Sequence, residues 1–264
     1  MYRFVATDLD GTLLNQHATI TELTAQTFQA LAARGVTLIV ATGRHHGEAH
    51  HARSKLGTPT YLASSNGARI YGPDDTLIYA SNIDPSVVRA LVQTEFTAQC
   101  RMSLYHDDGC IIPLDAPEQM ERKSDFAYLR RDLPALDGEG ISKMLYHHDS
   151  HDYLAELGAR IHARFPGKVS CTFADLYCLE IMADGVSKGS ALQYLTQKLG
   201  LSLAHGIAFG DSLNDVEMLK SVGHPFLMSN ANAHAVSRLP GIARAASNEA
   251  SGVAQQLRQL FRIA

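Results

Sequence analysis

No stretch of this chain approaches the ~18 consecutive apolar residues of a membrane-spanning helix, so no membrane partner is expected. Nor is there a surplus of cations: 23 Lys and Arg stand against 27 Asp and Glu, a formal charge of -4 with histidine neutral. Phosphate backbones are held by excess Lys and Arg, which argues against a nucleic-acid partner and requires any anion to be met locally. Asp8 and Asp10 lie where a secretory signal needs its apolar core, so a soluble, cytoplasmic protein is expected. The four cysteines (Cys100, Cys110, Cys171, Cys178) include no CxxC pair, and neither a zinc ribbon nor a thioredoxin-type site is suggested. Cys171 and Cys178 would face each other across a hairpin, but reduced packing thiols are the expectation in that compartment. Internal repeats and low-complexity segments are also missing.

What is present is a globular composition, 45% hydrophobic and 19% charged over 264 residues, enough for one large domain or two modest ones. Tyr2 to Thr7 reads as a strand covered on both faces and ends in Asp8-Leu9-Asp10-Gly11-Thr12. Thr21 can cap a helix carrying Leu23, Phe28, Leu31 and Ala32 at helical spacing, and Gly35 supplies a left-handed stop. A strand from Val36 to Ala41 follows, ending in Thr42-Gly43-Arg44, then a polar helix from about Glu48 to Lys55 and a strand from Tyr61 to Ser64. This alternation predicts a parallel α/β sheet. It resumes with a helix from Lys188 to Leu199 and strands at Gly206 to Phe209 and Pro225 to Met228.

Between these halves the rhythm changes. Ala68 to Tyr71 and Leu77 to Ser81 read as a hairpin across Gly72-Pro73-Asp74-Asp75. Helices at Pro85 to Phe96 and His151 to Phe165 then mix with short β runs at Met102 to Tyr105, Cys110 to Ile112, Lys143 to His147, Val169 to Phe173 and Cys178 to Met182. The mixture predicts an inserted α+β unit. The stretch from Ala116 to Gly140 is charged and poorly periodic, and no element is assigned to it.

Four short segments fall at strand ends or helix starts on one edge of the expected sheet: Asp8 to Thr12, Thr42-Gly43, Lys188, and Gly210-Asp211-Ser212-Leu213-Asn214-Asp215. Carboxylates converging there repel one another unless a cation joins them, and a few hard oxygen ligands suit Mg2+. Thr42, Lys188 and Asn214 are donors suited to a phosphoryl group. Taken alone, Asp8-x-Asp10 is only an acidic turn, and Thr12 and Asp215 are a turn residue and a helix cap.

In this order, however, the four segments resemble the haloacid dehalogenase-like (HAD) phosphatase superfamily. Asp8, Asp10 and Thr12 match its first motif, Thr42 its second, Lys188 its third, and Asp211 and Asp215 its fourth. Ala41-Thr42-Gly43-Arg44, Ser65-Asn66-Gly67-Ala68, Gly185-Val186-Ser187-Lys188-Gly189 and the block from Gly210 to Asp215 resemble the Cof-type hydrolases. The resemblance implies an α/β fold: a doubly wound, Rossmann-like parallel-sheet core over 1–82 and 185–264, with an inserted α+β cap over 83–184. Glu180-Ile181 resembles a Glu-Ile pair usual in that family, while Ala183 departs from the proline often found there.

The resemblance also implies roles. Asp8 would be the nucleophile and Asp10 the acid that protonates the leaving oxygen and then the base that deprotonates water. Mg2+ would be held by the Asp8 carboxylate, the Asp10 carbonyl and Asp211, with Asp215 either ligating through water or orienting Lys188. Thr42, the Gly43 and Leu9 amides, Lys188 and Asn214 would cradle the phosphoryl oxygens. Arg44, His45 and Asn66 would either touch the leaving group or serve structure alone. Gly11 and Gly43 would let the backbone approach the phosphate. The expected partner is a small phosphorylated metabolite such as a sugar phosphate or pyridoxal 5'-phosphate, and the chain is expected as a monomer or weak homodimer. A phosphosugar mutase and a non-catalytic phosphate-metabolite binder are the rival readings.

Other motifs give less. Lys188-Gly189-Ser190 lacks the order and earlier glycine of a P-loop, Asp8-x-Asp10-Gly11 misplaces the EF-hand glycine, and no Gly-x-Gly-x-x-Gly follows the first strand. His46 and His50 are four apart without the glutamate of a metalloprotease helix, and read as polar helix surface.

Overall fold

The computed structural model describes residues 2–97, 99–117 and 127–263. The chain begins with β1 (Phe4–Thr7), α1 (Glu22–Ala32), β2 (Thr37–Ala41), α2 (His46–Ser54), β3 (Tyr61–Ser64), β4 (Arg69–Tyr71) and β5 (Leu77–Ala80). Thr21 accepts the Thr24 amide to cap α1, and Gly35 at φ +72° turns the chain toward β2. Next come α3 (Pro85–Leu91), α4 (Thr94–Thr97), β6 (Arg101–His106), β7 (Gly109–Pro113), β8 (Tyr128–Arg131), β9 (Lys143–His147), α5 (His151–Arg164), β10 (Val169–Asp175) and β11 (Cys178–Ala183). The chain closes with α6 (Lys188–Lys198), β12 (Gly206–Gly210), α7 (Val216–Ser221), β13 (His224–Met228), α8 (Ala233–Arg238), β14 (Ala243–Ala245) and α9 (Gly252–Phe261).

The first and last groups share one eight-stranded sheet, ordered β14-β13-β12-β1-β2-β3-β4-β5. Strands β14 through β3 are parallel, and β4 and β5 extend one edge as an antiparallel hairpin. Phe28 and Leu31 of α1, Ala49 of α2 and Leu257 of α9 bury one face. Leu192 and Leu195 of α6, Met218 of α7 and Ala235 of α8 bury the other. With apolar cover on both sides, the parallel strands are nearly continuous apolar runs. Strand order reverses between the neighbours β1 and β12, and open α/β sheets bind ligands beyond such a point. Asp8 follows β1 and Asp211 follows β12, so the topology alone brings the two carboxylates together.

The middle group builds a six-stranded sheet, ordered β10-β11-β9-β6-β7-β8, antiparallel except for the β7–β8 pair. Its strands obey the period of two. Met102, Leu104, Met144, Tyr146, Leu179 and Ile181 pack with Leu91 of α3 and Leu154 and Ile161 of α5. The intervening residues, among them Ser103, Tyr105, Lys143, Leu145, His147 and Glu180, line a cavity shared with the edge of the first sheet.

Several details differ from the sequence reading. The helix expected over Pro85 to Phe96 breaks after Leu91 and restarts as α4; β-branched Val92 is a weak helix former at the break. Cys171 pairs in register with Ile181 and Cys178 with Asp175, so the two thiols do not face each other, and none of the four cysteines is in a disulfide among the described residues. Within the unassigned stretch, β8 (Tyr-Leu-Arg-Arg) is a sheet-edge strand without apolar alternation, while 118–126 lie outside the described residues. Among the described residues no helix is long and apolar enough to cross a membrane.

Gly206 starts β12 opposite Phe4, and a Cβ there would stand 2.0 Å from Cζ of that fully buried ring. Gly206→Val is therefore expected to destabilise the protein by roughly 2–3 kcal/mol through overpacking. A lowered urea midpoint at unchanged slope would register it.

Candidate active site

The turn after β1 brings the first and fourth motif segments into contact. Gly11 adopts φ +71°, and a Cβ there would lie 2.5 to 2.9 Å from atoms of the Asp211 carboxylate. It leaves room for the carboxylate of the partner loop and also lines the cavity. Thr12 Oγ1 donates to Asp211 Oδ1 at 2.7 Å, and Ser212 Oγ donates to Oδ2 at 3.1 Å, which fixes the plane of that carboxylate.

Helix α6 delivers the cation. Ser187 and Ser190 form a capping box at its start, and the next residue after the cap is Lys188, fully buried at 1% exposure. Its Nζ lies 2.8 Å from Asp8 Oδ1 and 2.7 Å from Asp215 Oδ1. The other oxygen of Asp215 accepts the Asp211 and Ser212 amides, both at 2.9 Å. Asp215 therefore spends both oxygens on orienting Lys188 and the loop.

One ammonium thus serves three carboxylates. Burial drives the Asp8 carboxyl well above the ordinary carboxylate range; Lys188 opposes that shift, and Asp215, Asp211 and Asp10 add to it. Asp211 is pushed up to about 6, by burial first and Asp215 second, against Thr12, Lys188 and Ser212. Burial also works against the charge of Lys188, but Asp215 and Asp8 outweigh it and hold the ammonium above its usual range. Asp8, Asp211 and Asp215 offer carboxylate oxygens within 4.8 Å of one another, a hard-oxygen set that fits a small divalent cation and would relieve the remaining repulsion. Since Asp215 is committed to Lys188 and two amides, Asp8 and Asp211 are its better ligands.

At the rim, Arg44 donates from Nε to Asp10 Oδ2 at 2.7 Å and from Nη2 to Oδ1, a two-pronged pair. Hydrogen bonding to Asp10, outweighing burial, raises the Arg44 guanidinium above its ordinary value. Thr42 is buried and accepts the Arg44 amide at 3.1 Å. His45 caps α2: its Nδ1 accepts the Gly47 amide at 3.1 Å, which puts the proton on Nε2 facing the His106 carbonyl at 2.8 Å. Burial pushes His45 down to about 4, so it is a neutral tie to β6 rather than part of the cavity wall.

The cavity encloses about 690 Å³. Asp8, Asp10, Gly43, Arg44, Lys188, Asp211 and Asn214 lie on its wall. Leu9, Thr42, Asn66 and Asp215 stand behind it, buried. The second sheet supplies wall residues to which the sequence reading gave no part: Tyr105, Tyr128, Ile112, Lys143, Leu145 and Cys178. A signal for them existed in the alternation of Lys143-Met144-Leu145-Tyr146-His147, whose odd positions form a mixed polar face. His46 and His50 lie 3.5 and 3.2 Å from Asp75, and buried Arg53 donates to both Asp75 and His50. A cation of the chain already balances that carboxylate, and the group ties α2 to the β4–β5 turn.

Comparison with known proteins agrees with this geometry. Residues 5–257 match the family model for haloacid dehalogenase-like hydrolases. An HMP-PP phosphatase from Cronobacter sakazakii is 34% identical over 242 residues, 91% of this chain and 89% of that one. Its counterpart from Serratia proteamaculans is 33% identical over 265 residues, covering 99% and 96%. In three dimensions, SMU.1108c from Streptococcus mutans superposes with a TM-score of 0.90 at 21% identity, over 99% of this chain and all of that one.

Because burial raises the Asp8 and Asp211 carboxyls above their unfolded values, their contribution to metal-free stability is present below about pH 4 and lost as pH rises through the folded-state values, about 6 for Asp211 and well above the ordinary carboxylate range for Asp8. A divalent cation held by these carboxylates would reverse that loss. The rise in melting temperature on adding Mg2+ in place of EDTA is expected to be several degrees larger at pH 7.5 than at pH 5, measured by calorimetry.

Proposed function

The chain belongs to the haloacid dehalogenase-like hydrolases and is a phosphatase, and on that premise we propose that it is a Mg2+-dependent phosphomonoesterase acting through an aspartyl-phosphate on Asp8. The observation that carries this reading is a buried carboxylate, Asp8, on the cavity wall at the switch point of the sheet, 2.8 Å from a buried lysine, with a second carboxylate two residues away at the rim.

Asp8 attacks phosphorus as the bond to the leaving oxygen breaks, and Asp10 gives that oxygen a proton. Water then attacks the aspartyl-phosphate, Asp10 takes the water's proton, and Asp8 is regenerated with release of inorganic phosphate. Lys188, the Gly43 amide and Asn214 hold the phosphoryl oxygens while charge shifts between them, and Thr42 and Leu9, behind the wall, support that cradle. Asp8, Asp211 and the Asp10 carbonyl would hold Mg2+, which when bound offsets the repulsion between carboxylate and phosphate.

Residues 83–184 act as a cap. Their sheet roofs the cleft, with Tyr105, Tyr128, Ile112 and Leu145 giving flat and apolar surface and Arg101 and His147 adding polar groups. This wall supports a small phosphorylated metabolite as substrate, with water excluded during transfer. Sugar phosphates and pyridoxal 5'-phosphate fit the description, and the relatives named HMP-PP phosphatases put that compound first among those to try.

Phosphate release from such a panel should require Mg2+, stop in EDTA and need no bisphosphate activator. Release that proceeds unchanged in EDTA would sink the metal-dependent mechanism. Asp8→Asn is expected to lower kcat by at least about a thousandfold with the fold retained, and Asp10→Asn by roughly a hundred- to ten-thousandfold. Undiminished turnover in Asp8→Asn would remove the nucleophile from the mechanism.

A further inference from the structure

A buried chain of polar groups joins the second sheet to the loops read as the phosphate cradle. Lys143 of β9 and Glu180 of β11, each 1% exposed, form an ion pair, and Lys143 Nζ also donates to the Gly43 carbonyl at 2.5 Å. The other oxygen of Glu180 accepts Asn66 Nδ2 at 2.6 Å, and Asn66 Oδ1 accepts Asn214 Nδ2 at 3.2 Å. Asn66 is anchored besides by its amide, which donates to the Thr42 carbonyl at 2.9 Å.

Donor order along this chain follows from the one member that cannot donate. A carboxylate only accepts, so Asn66 offers its amino group to Glu180 and its carbonyl oxygen to Asn214, which must answer with its own amino group. Reversing a single amide sets oxygen against oxygen or amino group against amino group. Asn214 Oδ1 is buried with no hydrogen-bond partner among the described residues, so no contact of its own oxygen selects the orientation. Selection comes from Glu180, two side chains away. The second hydrogen of the Asn214 amino group is left for another acceptor, and its nitrogen lies 3.6 Å from the place a Cβ on Gly43 would occupy.

We propose that Glu180 and Lys143 are positioning residues of the phosphate site: they fix the polarity of the Asn66–Asn214 pair so that Asn214 presents an N–H to the phosphoryl group, and they tether the Gly43 loop. The inference rests on the proposed reading of Asn214 as a phosphate ligand. Lys143 balances the charge of Glu180, which sets the amides without adding net negative charge beside the phosphate. The chain also makes the cradle depend on the second sheet, since Lys143 and Glu180 both belong to it.

The test is a double-mutant cycle read by competitive inhibition of p-nitrophenyl phosphate turnover by inorganic phosphate. Glu180→Gln alone strands the Lys143 charge and is the variant at risk of misfolding. Lys143→Met/Glu180→Gln removes both charges at similar volume, a change that buried pairs often tolerate, and lets the new amide take either orientation. Its Ki for phosphate is expected to rise about tenfold at a melting temperature within a few degrees of the parent, as for loss of a hydrogen bond to a charged group. Asn214→Ala should raise Ki by a similar factor, and the triple variant should be no weaker than Asn214→Ala within about twofold. A parent-like Ki in the double variant, or effects that multiply in the triple variant, overturns the proposal. An unchanged Ki in Asn214→Ala overturns both the proposal and the reading of Asn214 beneath it, while turnover surviving in Asp8→Asn would fault the site as a whole.

Discussion

A single buried ammonium, Lys188, holds the whole site in place. Three carboxylates in a low-dielectric crevice would otherwise repel one another and seek protons, and moving such charges out of water costs several kcal/mol apiece. Lys188 spans Asp8 and Asp215, and the amides of Asp211 and Ser212 neutralise the far side of Asp215. These contacts require β1, β12 and the start of α6 to meet at one point. The strand reversal between β1 and β12 supplies the first two, and the Ser187 capping box supplies the third. The arrangement remains short of positive charge, which supports the proposed divalent cation there.

The two sheets divide the work. The parallel sheet presents fixed groups at its carboxyl edge, and the mixed sheet closes over them with a surface of different character. They are tied by buried polar contacts, Lys143 to the Gly43 carbonyl, Glu180 to Asn66, and His45 to the His106 carbonyl, beside a small apolar cluster of Ala68, Met182 and Val186. Hydrogen bonds of this kind are directional, so they set the register of the roof on the floor where apolar contact would allow sliding.

What the sequence made legible follows from how local each signal is. Asp8, Asp10 and Asp211 each end a buried strand in a short polar block, and such a block at a sheet edge has few explanations. Lys188 is likewise marked by the cap that precedes it. The chemistry of Glu180 was hidden because its partners lie at positions 66 and 143, and only the fold brings them together. Gly11 was legible as a special backbone position, but its contact with Asp211 was not, the two being 200 residues apart in the chain. Strands β8 and β14 escaped for a plainer reason. Tyr-Leu-Arg-Arg and Ala-Arg-Ala are edge strands held by one neighbour each, with no alternation to announce them.

The alternation of the mixed sheet has an evolutionary corollary. Met102, Leu104, Met144 and Tyr146 face its helices, while Ser103, Tyr105, Leu145 and His147 face the cavity. Neighbours in the chain therefore carry separate tasks, one set holding the sheet to its helices and the other shaping the cavity surface. On the proposed function, a lineage that exchanged the second set would change which metabolite fits while the first kept the scaffold and the distant carboxylates kept the reaction.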